Sequence, residues 1–226
     1  MKLRRGTVYS AFAIAIALAM GLSLRNGFVY DDVSAIVHNS RVTDPTQWHT
    51  IPRSPYWLGT LWRPLTVALY AAQWLLGHGA PWLFHLVSLF GYFAVGVILF
   101  RLLQRLGVDQ VAAAAATLLF LVHPVHVEVV ANSVGQAELW VALALVSATI
   151  VYVRARQNGT ERRSLPALLA IVALGIMSKE QGFVAPLLFA GAEWLLLGAR
   201  QEPLRVRIRL LVPVTGLTAL LFVMSI

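Results

Sequence analysis

A small set of side chains in this sequence carries groups able to accept a proton, meet a phosphate or hold an ion. Asp31 and Asp32 follow the first apolar run in Phe28-Val29-Tyr30-Asp31-Asp32. Adjacent carboxylates near a low-dielectric medium repel each other, which raises one pKa and makes that group a better proton acceptor. The same pair can equally cap a short helix through Ala35 and Ile36. In His123-Pro124-Val125-His126-Val127-Glu128 the proline fixes the exit from an apolar run. A zinc site, histidines closing helix-end carbonyls, and polar or phosphate recognition all fit that string. A metalloprotease would need His-Glu-x-x-His on one helix, so no metal is expected. Glu138, in Gly135-Gln136-Ala137-Glu138-Leu139, opens the next apolar run, where the helix dipole favours a carboxylate, and Gln136 adds a neutral donor and acceptor. Lys179 and Glu180 sit between two apolar runs with almost no loop, which is costly unless they pair with each other or are used. Lys179 and Arg63 are the cations placed to meet a phosphate. No Gly-x-Gly-x-x-Gly or Walker pattern supports a nucleotide site.

The elements that must position these groups are membrane helices. Apolar residues make up 58% of the 226 positions, charged residues only 12%, and mean hydropathy is +0.72. Such a chain lacks the charge to cover a water-facing surface. Spans are expected at about 9–24, 82–103, 111–125, 139–153, 165–177, 183–197 and 210–226. The first reads as a retained signal anchor, because no small-x-small cleavage site follows it. Residues 25–81 form a large polar loop with short ordered pieces, including an interfacial helix at about 65–76. The last run stops with the chain, so the sequence reads as an N-terminal fragment. Cysteine is absent, which excludes disulfides and cysteine metal sites.

A formal charge of +8 would suggest nucleic acid in a soluble protein, but here the basic residues fall between apolar runs. A cytoplasmic N-terminus places Lys2, Arg4, Arg5, Arg101, Arg105, Arg154, Arg156, Arg162, Arg163, Arg200, Arg205, Arg207 and Arg209 on that side, 13 of the 18 basic residues. The 25–81 loop is then external or luminal, and the candidate groups all gather at its face. The sequon Asn158-Gly159-Thr160 falls on the opposite side. Trp48, Trp57, Trp62, Trp74, Trp82 and Trp140 lie near the outer side, as an interfacial belt or as stacking surfaces for a sugar.

The ordered set Phe28-Val29-Tyr30-Asp31-Asp32, Arg63-Pro64-Leu65-Thr66, Phe84-His85-Leu86-Val87, His123 to Glu128, Gly135 to Leu139 and Ser178-Lys179-Glu180-Gln181-Gly182 resembles the tetratricopeptide-repeat-containing membrane O-mannosyltransferases. These lie within the polyprenyl-phosphate-sugar GT-C glycosyltransferases. The resemblance implies an all-α polytopic membrane protein, a GT-C-like N-terminal transmembrane module with a large first outer loop. It implies an inverting transfer of a sugar, mannose by likeness, from a polyprenyl- or dolichyl-phosphate donor to a protein Ser or Thr hydroxyl at the luminal or periplasmic face. The host would be a bacterial inner membrane or the endoplasmic reticulum, with the bilayer and a protein acceptor as partners and no nucleic acid.

By the same likeness Asp31 or Asp32 is the general base and the other orients the acceptor. Glu128, Glu138, His123 and His126 border the donor or acceptor site, and Lys179 or Arg63 neutralises the leaving phosphate. Glu180 belongs to the same group of site residues. No cofactor or divalent metal is needed, since a fixed cation takes that role. Gln136 departs from the family pattern, which commonly has Arg there. The later helices and the repeats are absent, so the fragment alone is expected to be inactive. A secondary transporter of an anionic solute and a noncatalytic scaffold are the rival readings. A transporter should show an internal repeat and polar residues near the middle of its helices, whereas Glu193 is the only carboxylate inside an apolar run and no repeat is apparent.

Overall fold

The computed structural model describes residues 4–56, 61–195 and 204–225. Lys2, Trp57, Arg200 and the ends of the last two apolar runs lie outside them. Every regular element among the described residues is helical. Helix α1 (Arg5–Met20) continues as a 3-10 turn over Gly21–Arg25, giving an apolar rod of 21 residues. Helices α2 (Ser40–Thr43) and α3 (Pro64–Gly77) belong to the loop that follows. Helix α4 (Pro81–Arg105) has 25 residues, and Ser133–Asn158, which includes α7 (Gln136–Asn158), has 26. At 1.5 Å per residue these three rods are about 32–39 Å long, enough for a hydrocarbon layer of about 30 Å. They make the chain a polytopic α-helical membrane module.

Helices α5 (Gln110–Val122) and α6 (Val127–Ala131) supply a fourth crossing only if counted together, because the chain bends by 52° between them. Pro124 causes the bend: the residue before a proline is driven out of the helical region, and His123 is extended at φ −69°, ψ 128°. The His123 Nδ1 then accepts the Val125 N–H at 3.2 Å. Helices α8 (Glu161–Ser178), α9 (Ala185–Leu195) and α10 (Leu204–Met224) complete the chain. Three charges in the first turn of α8 set it below the apolarity of the first three rods, α9 has 11 residues, and α10 has 21 with Arg205, Arg207 and Arg209 near its start.

Three apolar clusters hold these elements. Phe12, Tyr92, Phe100 and Leu121 join α1, α4 and α5, with Leu139 of α7 against them. Tyr152, Leu168, Phe189 and Leu210 join α7 to α10. The third joins the segment between α1 and α3 to α3 and α4: Ile36, Val42, Tyr56, Tyr70 and Phe84 are buried together. The described residues between Asn26 and Tyr56 are therefore a packed cap. Its short helices start on side-chain caps, Asn39 accepting the Arg41 N–H at 3.1 Å and Asp44 the Thr46 N–H at 2.9 Å.

Glu193 is not a free carboxylate. It is buried beside Arg156, which also donates to Glu161 at 2.8 Å, and Tyr152 donates to Glu193 at 2.8 Å. A buried carboxylate held by Arg156 and Tyr152 gives the transporter reading no support. The Trp140 ring packs against Gly91 between α4 and α7.

Candidate functional site

A cavity of about 380 Å³ opens between the cap and the helix ends. Asp31, Arg63, Glu128, Glu138 and Lys179 line it, together with Tyr56 and Asn132. Residues scattered from 31 to 179 thus meet in one hollow.

The aspartate pair is divided. Asp31 is exposed and faces the cavity. Asp32 is fully buried and points away, accepting the N–H groups of Val134 (2.8 Å), Val29 (3.3 Å) and Ser133 (3.4 Å). Burial pushes the Asp32 carboxyl above its ordinary value, and the three amides pull it partly back. Tyr30, just before the pair, holds φ 47°, a left-handed conformation that costs a bulky residue about 1–2 kcal/mol. That turn sends the two side chains to different environments. Asp32 fastens the 133–135 turn, which forms one wall of the cavity.

Lys179 and Glu180 do not pair with each other. The extended backbone at Lys179 (φ −161°, ψ 152°) turns successive side chains to opposite sides. Lys179 reaches α7 and pairs with Glu138, while Glu180 receives Arg63 in a two-point fork at 2.8 and 2.7 Å. Burial opposes the Glu180 charge, but the Arg63 hydrogen bonds and charge outweigh it and hold the carboxyl below its usual range. Arg63 is held above its ordinary range by the same bonds working against burial. Its guanidinium also lies 4.7 Å over the Tyr56 ring. Burial pushes the Tyr56 phenol up, so it stays neutral.

Gln136 does not line the cavity. Its amide is buried in a reciprocal pair with Gln73, each Nε2 donating to the other's Oε1 at 2.9 Å. The remaining donors go to Phe84 and Leu69 carbonyls, both at 2.9 Å. Gln136 is a brace between α3, α4 and α7, and no phosphate contact falls to it. His126 closes the end of α5, its Nδ1 2.9 Å from the Phe120 carbonyl and 3.0 Å from the Tyr92 hydroxyl. His123 spends its Nδ1 on its own turn, so of the 123–128 string only Glu128 lines the cavity.

Tyr56, Asn132 and Gly135 were not singled out by the sequence reading, and no local pattern marks the first two. Gly135 has a steric reason: a Cβ there would lie 2.3 Å from the Val129 carbonyl oxygen. Gly182 behaves alike, its Cβ position 2.5 Å from the Ile176 nitrogen, which lets the 180–184 turn fold against α8. Two further bonds hold α3 in place. Thr66 donates to the Ser178 carbonyl at 2.8 Å and Tyr70 to the Val134 carbonyl at 2.9 Å.

No family model matches the chain, and no solved structure matches it. It is 34% identical over 194 residues, 79% of its length, to protein O-mannosyl-transferase Tmtc2 of Drosophila melanogaster, and covers 21% of that protein. It is 34% identical over 171 residues to protein O-mannosyl-transferase TMTC3 of Homo sapiens, covering 71% of this chain and 18% of that one. For TMTC4 of Mus musculus the identity is 31% over 210 residues, with 80% and 28% covered. The chain spans about a fifth of the length of the first two relatives. Over most of its own length it is homologous to several protein O-mannosyl-transferases.

Proposed function

We propose that this chain carries the acceptor-activating part of an inverting glycosyltransferase that takes a sugar, mannose by homology, from a polyprenyl or dolichyl phosphate. The acceptor is a protein Ser or Thr hydroxyl. The observation that supports it is the cavity that gathers the exposed carboxylate of Asp31 with two ion-paired cations, Arg63 beside Glu180 and Lys179 beside Glu138. The acceptor hydroxyl gives its proton to Asp31 as its oxygen bonds to the anomeric carbon. The bond from that carbon to the phosphate oxygen breaks on the opposite face, and the lipid phosphate leaves with the electron pair. Arg63 and Lys179 meet the charge that develops on it. Glu128 and Glu138 supply acceptors for sugar or acceptor hydroxyls at the rim. Asp32 holds the wall without touching substrate. Under this reading the N-terminus is cytoplasmic, the cavity faces the lumen or periplasm, and helices α8 to α10 supply further crossings.

The test is transfer of radiolabelled sugar from lipid phosphate in membranes holding the full-length protein. Asp31→Asn is expected to lower the rate by about 10²-fold or more with insertion unchanged. A variant that turns over at the wild-type rate sinks the assignment, and solute uptake without any transfer returns the transporter.

A further inference from the structure

Pro124 has no N–H, so the Phe120 carbonyl, four residues earlier, loses the donor that would continue α5. Other groups take its place. The carbonyl accepts the His123 N–H at 3.2 Å and the Tyr92 hydroxyl at 3.1 Å, and His126 Nδ1 donates to it at 2.9 Å. A carbonyl oxygen only accepts, so Nδ1 carries the hydrogen of that contact. Tyr92 reaches in from α4 and His123 precedes the proline; of the three, only His126 belongs to the chain beyond the 52° bend. Its ring centroid also lies 4.3 Å from that of Phe120. Helix α6 starts at the next residue and has five residues, too few to hold its own direction. Its far end is tied by the Asn26 amide, which donates to the Ala131 carbonyl at 3.3 Å. Between the two ties stands Glu128, exposed in the cavity wall, and among the described residues it meets no hydrogen-bond or ion-pair partner. The path of α6 therefore sets where its carboxylate stands.

We propose that His126 is a positioning residue for the transfer: its Nδ1–H ties the chain beyond Pro124 back to α5 and so fixes the angle at which α6 brings Glu128 into the cavity. The proposal rests on the reading of the cavity as the transfer site and adds a residue that does not line it. The role belongs to one ring nitrogen. Nδ1 makes the contact with Phe120, and Nε2 has no part in it. Two amides separate the nitrogens. The asparagine amide nitrogen is bonded to Cγ, as Nδ1 is, while the glutamine one stands an atom further out, as Nε2 does. Asparagine therefore keeps the donor to the Phe120 carbonyl and glutamine moves it away.

The experiment measures transfer of radiolabelled sugar from an isoprenyl phosphate by the full-length protein in membranes, at matched amounts of each variant. His126→Asn is expected to stay within about threefold of the wild-type rate, while His126→Gln and His126→Leu lose about tenfold. The loss should fall on the same constant, KM or kcat, that Glu128→Gln changes. In a Glu128→Gln background His126→Leu should cost no more than about twofold, since the carboxylate it serves is already gone. A glutamine variant as active as the asparagine one, or more so, overturns the proposal, and this comparison decides alone if His126→Leu fails to insert. A full tenfold loss in the Glu128→Gln background overturns it too, as does Glu128→Gln or His126→Leu at the wild-type rate. Each of these results leaves the enzyme reading standing. Wild-type protein that transfers no sugar from any lipid phosphate sinks the enzyme reading, and the positioning role falls with it.

Discussion

Replacing Asp32 with Asn separates the two aspartates by mechanism. The Asp32 side chain is fully buried and accepts the Val134 N–H at 2.8 Å, and a buried polar group left unmatched costs about 1–3 kcal/mol. The bonds at 3.3 and 3.4 Å are long and add little. An asparagine keeps one acceptor and turns an NH₂ towards backbone donors, so a loss of about 2 kcal/mol is expected. At about 2–4 °C per kcal/mol this lowers Tm by about 4–8 °C. The pH dependence has a definite sign. Because burial holds the folded carboxyl above its unfolded value of 3.8, the ionised form opposes folding. That penalty is absent below 3.8 and fully present above the folded pKa, so wild-type stability from this group falls as pH rises through the window. The asparagine variant does not ionise, and the Tm gap should narrow upward from about pH 4. Thermal unfolding followed by tryptophan fluorescence in nanodiscs, beside the transfer assay, reads both effects. An unchanged Tm with a rate loss equal to that of Asp31→Asn would refute the division of roles.

The Arg63–Glu180 fork has the opposite pH sign. Its Glu180 carboxyl is held below 4.5, so its contribution is complete above 4.5 and disappears as pH falls through the folded value; Arg63→Lys should flatten that acid limb in a Tm series. With Glu180 partly exposed, the loss should be about 1 kcal/mol or less. Gly135→Ala forces a methyl onto the Val129 carbonyl and should reduce the monodisperse fraction in size-exclusion chromatography, with a cost above about 1 kcal/mol. Gln136→Leu leaves the Gln73 amide partly unmatched, a cost of about 1–3 kcal/mol, and adding Gln73→Leu should restore part of the lost Tm.

The helical membrane character was readable because the bilayer imposes it on composition and run length, but the expected 111–125 span ran through His123 and Pro124, where the helix in fact ends at Val122 and the chain bends by 52°. The cap was harder. Its polar composition conceals a core built from single residues such as Ile36, Val42 and Tyr56, which follow no period. Within the site, residue types identified Asp31, Arg63, Glu138 and Lys179 as candidates, but partners 41 and 117 positions apart carry no local signal. The same limit hid the different fates of Asp31 and Asp32, which one left-handed residue decides. Gln136 was visible as a departure from a family pattern, yet its bond to Gln73 depends on how α3 lies across α7.

The buried cluster at Arg156 has a consequence for how the chain is assembled. Glu193 stands in an otherwise apolar helix, where an unpaired carboxylate resists entry into lipid. Its guanidinium partner is synthesised 37 residues earlier, on α7, with Glu161 already beside it. One buried guanidinium thus ties α7, α8 and α9 together, so that removing it would leave two carboxylates on two different helices without their cation.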